Sequence, residues 1–155
     1  MKNYRIRWTD GHDREFEEFH AITENFYNQL VGCPQNRPSF VPGNQSKDVK
    51  YAMIVYSKDD VPVACSGLKE HGNGDVEIKR VWVQPPFRGH HLATFMKHEL
   101  ETFAREHGYK RTMLMTRERM DYAIKLFEGL GYKRIENYPP YQHMDDAVCY
   151  TKDLR

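Results

Sequence analysis

The chain has no apolar run of about 18 residues or more, so no membrane-spanning helix is expected. Its opening, Met1-Lys2-Asn3-Tyr4-Arg5-Ile6-Arg7-Trp8, lacks the apolar stretch of a secretory signal. Cysteine is scarce: Cys33, Cys65 and Cys149 stand far apart, are odd in number and form no Cys-x-x-Cys pair. Neither a disulfide framework nor a zinc knuckle is therefore indicated, and a reduced, cytoplasmic setting is the default. An excess of one charge is missing too. With 23 Lys+Arg against 22 Asp+Glu the net charge is +1, and no long basic block stands out. No nucleic-acid partner and no membrane partner is expected from such a balance. Internal repeats, low-complexity stretches and domain linkers are also absent, so the 155 residues read as one domain, 1–155, with one core.

The hydrophobic share of 39% and the charged share of 29% are those of a soluble globular protein. Residues 3–8 read as a first strand. Asp13 is a candidate cap for a helix with Phe16, Phe19, Ile22 or Thr23, Phe26, Tyr27 and Leu30 on one broad face, stopped by Gly32 and Pro34. Residues 32–48, rich in Pro, Gly and Asn, read as a long loop of the kind that often binds something. A meander of strands follows over about 49–57, 61–69 and 75–84, the last two joined at Gly72-Asn73-Gly74-Asp75. The pattern then gives a helix over about 89–107, closed by Gly108, a strand over 109–116 and a helix over 121–130, closed by Gly131. Strands over about 132–137 and 147–152 end the chain, and the last of them, if exposed, offers an edge for a homodimer. This order predicts a three-layer α/β domain whose mixed sheet carries helices on its faces.

The segment with most chemistry in it is Val81-Trp82-Val83-Gln84-Pro85-Pro86-Phe87-Arg88-Gly89-His90-His91-Leu92-Ala93. A β-favouring run must stop at the prolines, which cannot donate to a ladder. Beyond Arg88-Gly89, Leu92, Phe95 or Met96, Leu100 and Phe103 recur at helical spacing. The helix start thus offers unpaired N–H groups and a positive dipole end beside an arginine, which suits a phosphate or pyrophosphate.

Three segments in order resemble the GNAT superfamily of acetyl-CoA-dependent N-acetyltransferases. Glu77-Ile78-Lys79-Arg80-Val81-Trp82-Val83 looks like its central strand, and Arg88-Gly89-His90-His91-Leu92-Ala93 looks like its pyrophosphate loop. Ala123-Ile124-Lys125-Leu126-Phe127-Glu128-Gly129-Leu130-Gly131-Tyr132 looks like its late helix with the closing Gly-aromatic pair. The resemblance covers about 75–153 well, and residues 1–74 match in element order. It implies a GNAT-like fold with a mixed, mostly antiparallel central sheet, and an acyltransferase that moves acetyl from acetyl-CoA to a primary amine. It also implies that the backbone of Val81 and Val83, with Trp82 between them, pairs with the pantetheine arm, and that the amides from Arg88 to Ala93 hold the pyrophosphate. Asp121 sits near where relatives carry an asparagine that touches the cofactor, although helix capping is an alternative use.

Two positions depart from the family pattern. His91 stands where a glycine lets the helix approach the phosphates, so it must point outward or alter the fit. Phe127 stands where the family commonly has a tyrosine that protonates the leaving thiolate, and phenylalanine has no proton to give. Either Tyr122, Tyr132, Tyr138, Tyr141 or another group does this, or no acid is needed.

An ammonium acceptor with a pKa of about 10.4 must lose a proton before it attacks. By resemblance Glu77 is the base, best with its pKa raised toward neutrality; the competing reading pairs it with Lys79 or Arg80, or leaves it facing water. Backbone N–H groups of the central strand would face the developing oxyanion. The spacing of His90, His91 and His98 does not suit a helix-borne metal site, and Cys65 reads as a small buried strand residue rather than a nucleophile. Tyr138, Tyr141, Trp8, Phe26 and Tyr27 are candidates to wall an acceptor pocket, with Phe40 and the 32–48 loop setting acceptor choice. A small-molecule amine is the expected substrate. A protein or peptide acceptor, or a non-catalytic acetyl-CoA sensor, is the alternative.

Overall fold

The computed structural model describes residues 3–31 and 46–155. The expected helix stop at Gly32 and Pro34, the side chain of Tyr27, Phe40 and most of the 32–48 loop lie outside the described residues. The elements are β1 (Tyr4–Thr9), α1 (Arg14–Val31), a 3-10 turn (Ser46–Asp48), β2 (Tyr51–Ser57), β3 (Pro62–Gly72) and β4 (Asp75–Val83). A second 3-10 turn (Pro85–Phe87) leads to α2 (Leu92–Glu106), β5 (Arg111–Arg117), α3 (Asp121–Gly129), β6 (Lys133–Ile135) and β7 (Ala147–Asp153). The strands form one sheet in the order β1-β2-β3-β4-β5-β7-β6. Every neighbouring pair is antiparallel except β4 and β5, which run parallel. Among the described residues no helix is long and apolar enough to cross a membrane.

Two apolar layers sandwich the sheet, and β2 shows why its sequence reads as one hydrophobic run. Met53 and Val55 join Leu92, Met96 and Leu100 of α2 and Phe127 of α3 on one face. Ala52, Ile54 and Tyr56 join Phe16 and Phe19 of α1 on the other. Alternate side chains point to opposite faces, so a strand covered on both sides needs apolar residues throughout.

Turn chemistry holds the meander in register. Gly72 pairs with Asp75, leaving Asn73 and Gly74 as a two-residue loop with φ of 56° and 83°. Both central residues at positive φ make the turn whose twist suits a hairpin, and Asn-Gly is its preferred sequence.

Three sequence expectations need correction. α2 starts at Leu92, not near 89, because Gly89 (φ 82°) and His91 (φ 63°) are left-handed and cannot enter a right-handed helix. The last strand is not an exposed edge. β7 lies between β5 and β6, with Arg111–Arg117 along one side and Lys133–Ile135 pairing with Thr151, Tyr150 and Cys149 on the other. Trp8 is not among the residues that line the cavity beside β4; it stacks on Phe103 of α2 with ring centroids 3.9 Å apart.

Asp13 caps α1 as expected. Its Oδ1 accepts the backbone N–H groups of Glu15 (2.9 Å) and Phe16 (3.3 Å). Arg7 of β1 forks onto the same carboxylate at 2.8 and 3.1 Å and reaches Glu15 at 2.8 Å, tying the helix to the sheet edge. The Arg7 guanidinium holds the Asp13 carboxyl below the usual carboxylate range. Asp13→Ala is expected to lower the unfolding free energy by about 1–2 kcal/mol at neutral pH, measured by urea denaturation. Because the folded pKa is depressed, this contribution is complete above the unfolded value of about 3.9 and fades as pH falls through the folded one, so the two proteins converge in acid.

Candidate active site

The site begins with an extra residue in β4. Lys79 pairs with Gly67 and Trp82 with Cys65, so Arg80 and Val81 on β4 face Ser66 alone on β3. Arg80 takes a φ of 59° at this bulge. Bulges bend a strand and increase its twist. On the other side, β4 pairs with β5 only over Asp75–Glu77 against Arg111–Met113, after which the two parallel strands part. The wedge between them is a cavity of about 600 Å³. The bulge also moves Trp82 to the α1 face, where it packs in the core of Phe16 and Phe19, while Val76 and Ile78 belong to the α2 face.

Most of the residues singled out in the sequence meet at this wedge. Glu77, Val81, Trp82, Val83, Arg88, Gly89, His91, Leu92, Ala93 and Phe127 all line it, together with Leu114–Arg117 of β5. His90 and Asp121 are exposed and do not line it. Asp121 is the first residue of α3, whose start has no side-chain cap bond.

The mouth is formed by the end of β4 and the start of α2. Arg88 donates from Nε to the Val83 carbonyl (2.8 Å) and lies over the Trp82 ring, 4.7 Å from its centroid. His91 is the helix N-cap, without a side-chain cap bond. The first helical bond runs from the Phe95 N–H to the His91 carbonyl, so the preceding amides of the first turn fall outside the ladder. His91 thus explains the glycine expected at its position: the backbone there is left-handed, and a histidine tolerates it at a cost.

The inner end holds a buried polar network. Glu77 is 1% exposed. Its Oε1 is 2.7 Å from His71 Nε2, and its Oε2 accepts a hydrogen bond from the Tyr141 hydroxyl at 2.7 Å. Lys79, two residues on and so on the same face, donates to that hydroxyl at 3.0 Å and lies 3.9 Å from Glu77. Burial alone would raise the Glu77 carboxyl, but the Lys79 charge and the His71 and Tyr141 hydrogen bonds outweigh it and hold it below its ordinary value. This is opposite in direction to the raised base expected from sequence. Burial pushes the Lys79 ammonium down to about 8 against the pull of Glu77. Arg80 is separate, paired with Glu24 of α1 at 2.6 Å.

Phe26 of α1 lines the cavity with its ring edge-on to Trp82, centroids 5.3 Å apart. Tyr141 lines it as well, whereas Tyr138 stands behind, edge-on to His71 and Tyr141. Tyr122 is 79% exposed at the rim, and the Tyr132 hydroxyl is engaged with Thr112 (2.9 Å) and Glu101 (3.1 Å). Cys65 is buried, and burial pushes its thiol up, which suits a packing residue.

Of the partners expected for Glu77 in the competing reading, Lys79 is beside it and Arg80 is not. Sequence reasoning missed two members of the site. His71 is visible only once β3 and β4 are paired in register. The second is Lys97, a lysine on the inner side of α2, 1% exposed and lining the cavity.

With this geometry in hand, similarity to known proteins becomes decisive. The sequence model of the acetyltransferase (GNAT) family matches residues 3–132. The chain belongs to the GNAT family of acetyltransferases. An uncharacterized N-acetyltransferase of Schizosaccharomyces pombe is 27% identical over 96 residues, 60% of this chain and 57% of that protein. The chain therefore spans little more than half the length of this curated relative. Among solved structures, one described as an acyl-CoA N-acyltransferase of Klebsiella pneumoniae is 26% identical, with a TM-score of 0.80 and 98% of each chain covered. A streptothricin acetyltransferase of Bacillus anthracis, solved with acetyl coenzyme A, shares the fold at a TM-score of 0.58 and 17% identity, over 70% of this chain and 65% of that one. For this GNAT protein, the seven-stranded mixed sheet and its flanking helices are the family architecture.

The left-handed backbone at His91 sets a test at this loop. His91→Gly is expected to fold at least as stably as the wild type, whereas His91→Val, β-branched, is expected to lose about 1–2 kcal/mol relative to His91→Gly in urea unfolding.

Proposed function

We propose that this protein transfers an acetyl group from acetyl-CoA to the primary amine of a small molecule, by direct attack with both substrates bound. One observation carries the reading: a single cleft joins the unpaired edge of β4, the open start of α2 and the buried carboxylate of Glu77.

The residues present fit acetyl-CoA. Beyond Glu77 the β5-facing edge of β4 has no strand partner among the described residues, which leaves the backbone of Val81 and Val83 for the amides of the pantetheine arm, as in strand addition. The first-turn amides of α2, from Leu92 and Ala93 onward, and the glycine turn at Gly89 suit the pyrophosphate. The Bacillus anthracis protein of the same fold, solved with acetyl coenzyme A, supports the assignment by analogy. When bound, acetyl-CoA supplies an activated thioester.

Glu77 draws the acceptor ammonium to the inner end and takes its proton, directly or through a water. His71, bonded to the other carboxylate oxygen and partly exposed, carries that proton toward solvent. Tyr141 and Lys79 keep the carboxylate ionised, because both bonds favour its charged form. A lowered carboxyl is a weaker base but is ready at every pH above the carboxylate range. Phe26, Trp82 and Tyr141 give the acceptor an aromatic wall, which favours a compact amine over a peptide track. The chain works as one domain in this reading, and its buried, unlinked Cys65 and Cys149 suit a reducing cytoplasm.

The test is release of free thiol from acetyl-CoA with a panel of small amines and peptides. Glu77→Gln, which keeps the shape and the hydrogen bond from Tyr141, is expected to lower kcat about 100-fold or more at neutral pH with little change in KM for acetyl-CoA. Near-full turnover in that variant removes Glu77 as the base. Tight binding of acetyl-CoA with no amine acetylated turns the reading to a sensor, and no binding overturns both.

A further inference from the structure

Lys97 is the one cavity-lining ammonium whose nitrogen has no hydrogen-bond partner among the described residues. Its Nζ sits 4.3 Å from the centroid of the Phe127 ring, on the α2 side of the sheet. Five residues separate it from Leu92, so it lies about 7.5 Å deeper along the helix than the mouth of the cleft. The charge that acts on it is Glu101, one turn on, and Glu101 is already committed. It accepts from Lys152 of β7 (2.8 Å) and from the Tyr132 hydroxyl (3.1 Å). An unpaired buried ammonium is costly, and a ring face offsets only part of the cost. Lys79, by contrast, is buried with two partners.

The two ends of the cleft also lie on opposite faces of the sheet. Glu77 alternates with Val76 and Ile78, which pack on the α2 side, so its carboxylate points to the α1 side. Lys97 enters the same cavity from α2. An amine held at Glu77 and a sulfur held near Lys97 would stand on either side of the acyl carbon, in the gap where β4 and β5 part. We propose that Lys97 is the proton donor to the sulfur of coenzyme A, on a deepened form of the acetyl-transfer reading above and resting on it.

The step balances. The acceptor nitrogen forms its bond to the acyl carbon, the carbon–sulfur bond breaks, and its electron pair goes to sulfur. The proton on Lys97 Nζ moves to that sulfur, leaving free coenzyme A thiol and a neutral Lys97, which regains a proton from solvent. The nitrogen gives up two protons, the first to Glu77 before attack and the second to water as the tetrahedral adduct collapses; one balances the proton that Lys97 regains, and the other is released overall. The environment makes the direction favourable. Burial pushes Lys97 down to about 7, with Glu101 opposing. A thiol comparable to cysteine has a pKa of about 8.5, so the transfer from Lys97 to the thiolate runs downhill, which it would not from an ordinary lysine at about 10.4. Among the described tyrosines that the sequence offered, Tyr132 is engaged with Thr112 and Glu101, Tyr141 is bonded to Glu77 on the far side, and Tyr122 stands 79% exposed at the rim of the cavity.

The experiment titrates the lysine 13Cε signals by NMR with coenzyme A bound, and follows kcat against pH, in the wild type, in Lys97→Met and in Lys97→Gln. Thermal unfolding of each is followed in parallel. The wild type is expected to show a lysine signal that titrates near pH 7 in the complex, and a kcat that falls as pH rises through that range, because the donor must hold its proton. Both variants are expected to lack that signal and that alkaline fall, and to lose about tenfold or more in kcat at neutral pH, with KM for acetyl-CoA little changed. Lys97→Met is expected to unfold no earlier than the wild type, since it removes an unpaired buried charge. A wild-type Lys97 that keeps its proton in the complex to well above the range of a thiol overturns the proposal without recourse to any variant. So does a variant that folds and matches the wild type in both pH profile and kcat, even if amine acetylation itself is found. Failure of the wild type to bind coenzyme A at all overturns the acetyl-transfer reading and this one with it.

Discussion

The site depends on the extra residue at Arg80 and the short pairing of β4 with β5. A full ladder would seal the centre of the sheet, as the antiparallel pair of β5 and β7 does along Arg111–Arg117. Because the β4–β5 ladder ends at Glu77 and Met113, backbone groups in the middle of a packed protein are left for a ligand to satisfy. Strand splaying of this kind leaves the hydrophobic sandwich intact, since α1 and α2 still cover the two faces. The same bulge reverses the facing of side chains, which puts Trp82 beside Phe26, on the α1 side with Glu77 and Lys79.

Electrostatics then separates the two faces of the opening. On the α1 side a carboxylate is kept ionised by a lysine, a tyrosine and a histidine, each bonded to it or to its partner. On the α2 side a lysine is held with no such partner against an aromatic ring. In the proposed reaction, the group that accepts a proton and the group that gives one are thereby held apart in different environments. The lowered Glu77 carboxyl is the exception, and it gains readiness at the expense of basicity.

Much of the fold was legible in the chain because it is written in local rules. The element order, the Asn73-Gly74 hairpin and the Asp13 cap follow from periodicity, turn chemistry and capping, and all three stand in the structure. The turn from β4 into α2 at the mouth of the cleft was legible for the same reason, since a proline-stopped strand and a helix start are local features. What escaped was non-local or depended on a single backbone angle. The left-handed turn at His91 moved the start of α2, and β6 docked on the strand expected to be exposed. His71 reaches Glu77 only through the register of β3 on β4, and no sequence window spans that pairing together with Tyr141.

Lys97 shows how a binary pattern hides a functional residue. On a helical wheel it falls among Leu92, Met96, Leu100, Glu101 and Ala104, the buried stripe of α2. Long lysine stems often lie along apolar surface with the charge carried out to water, and a reading from sequence would assign that behaviour here. The cleft changes the outcome, because it brings a cavity to the inner side of the helix and the ammonium ends in it rather than in bulk solvent. A local rule is thus broken at a place where the surrounding packing offers no compensating pair. Such breaks persist where a ligand, rather than the fold, completes the environment.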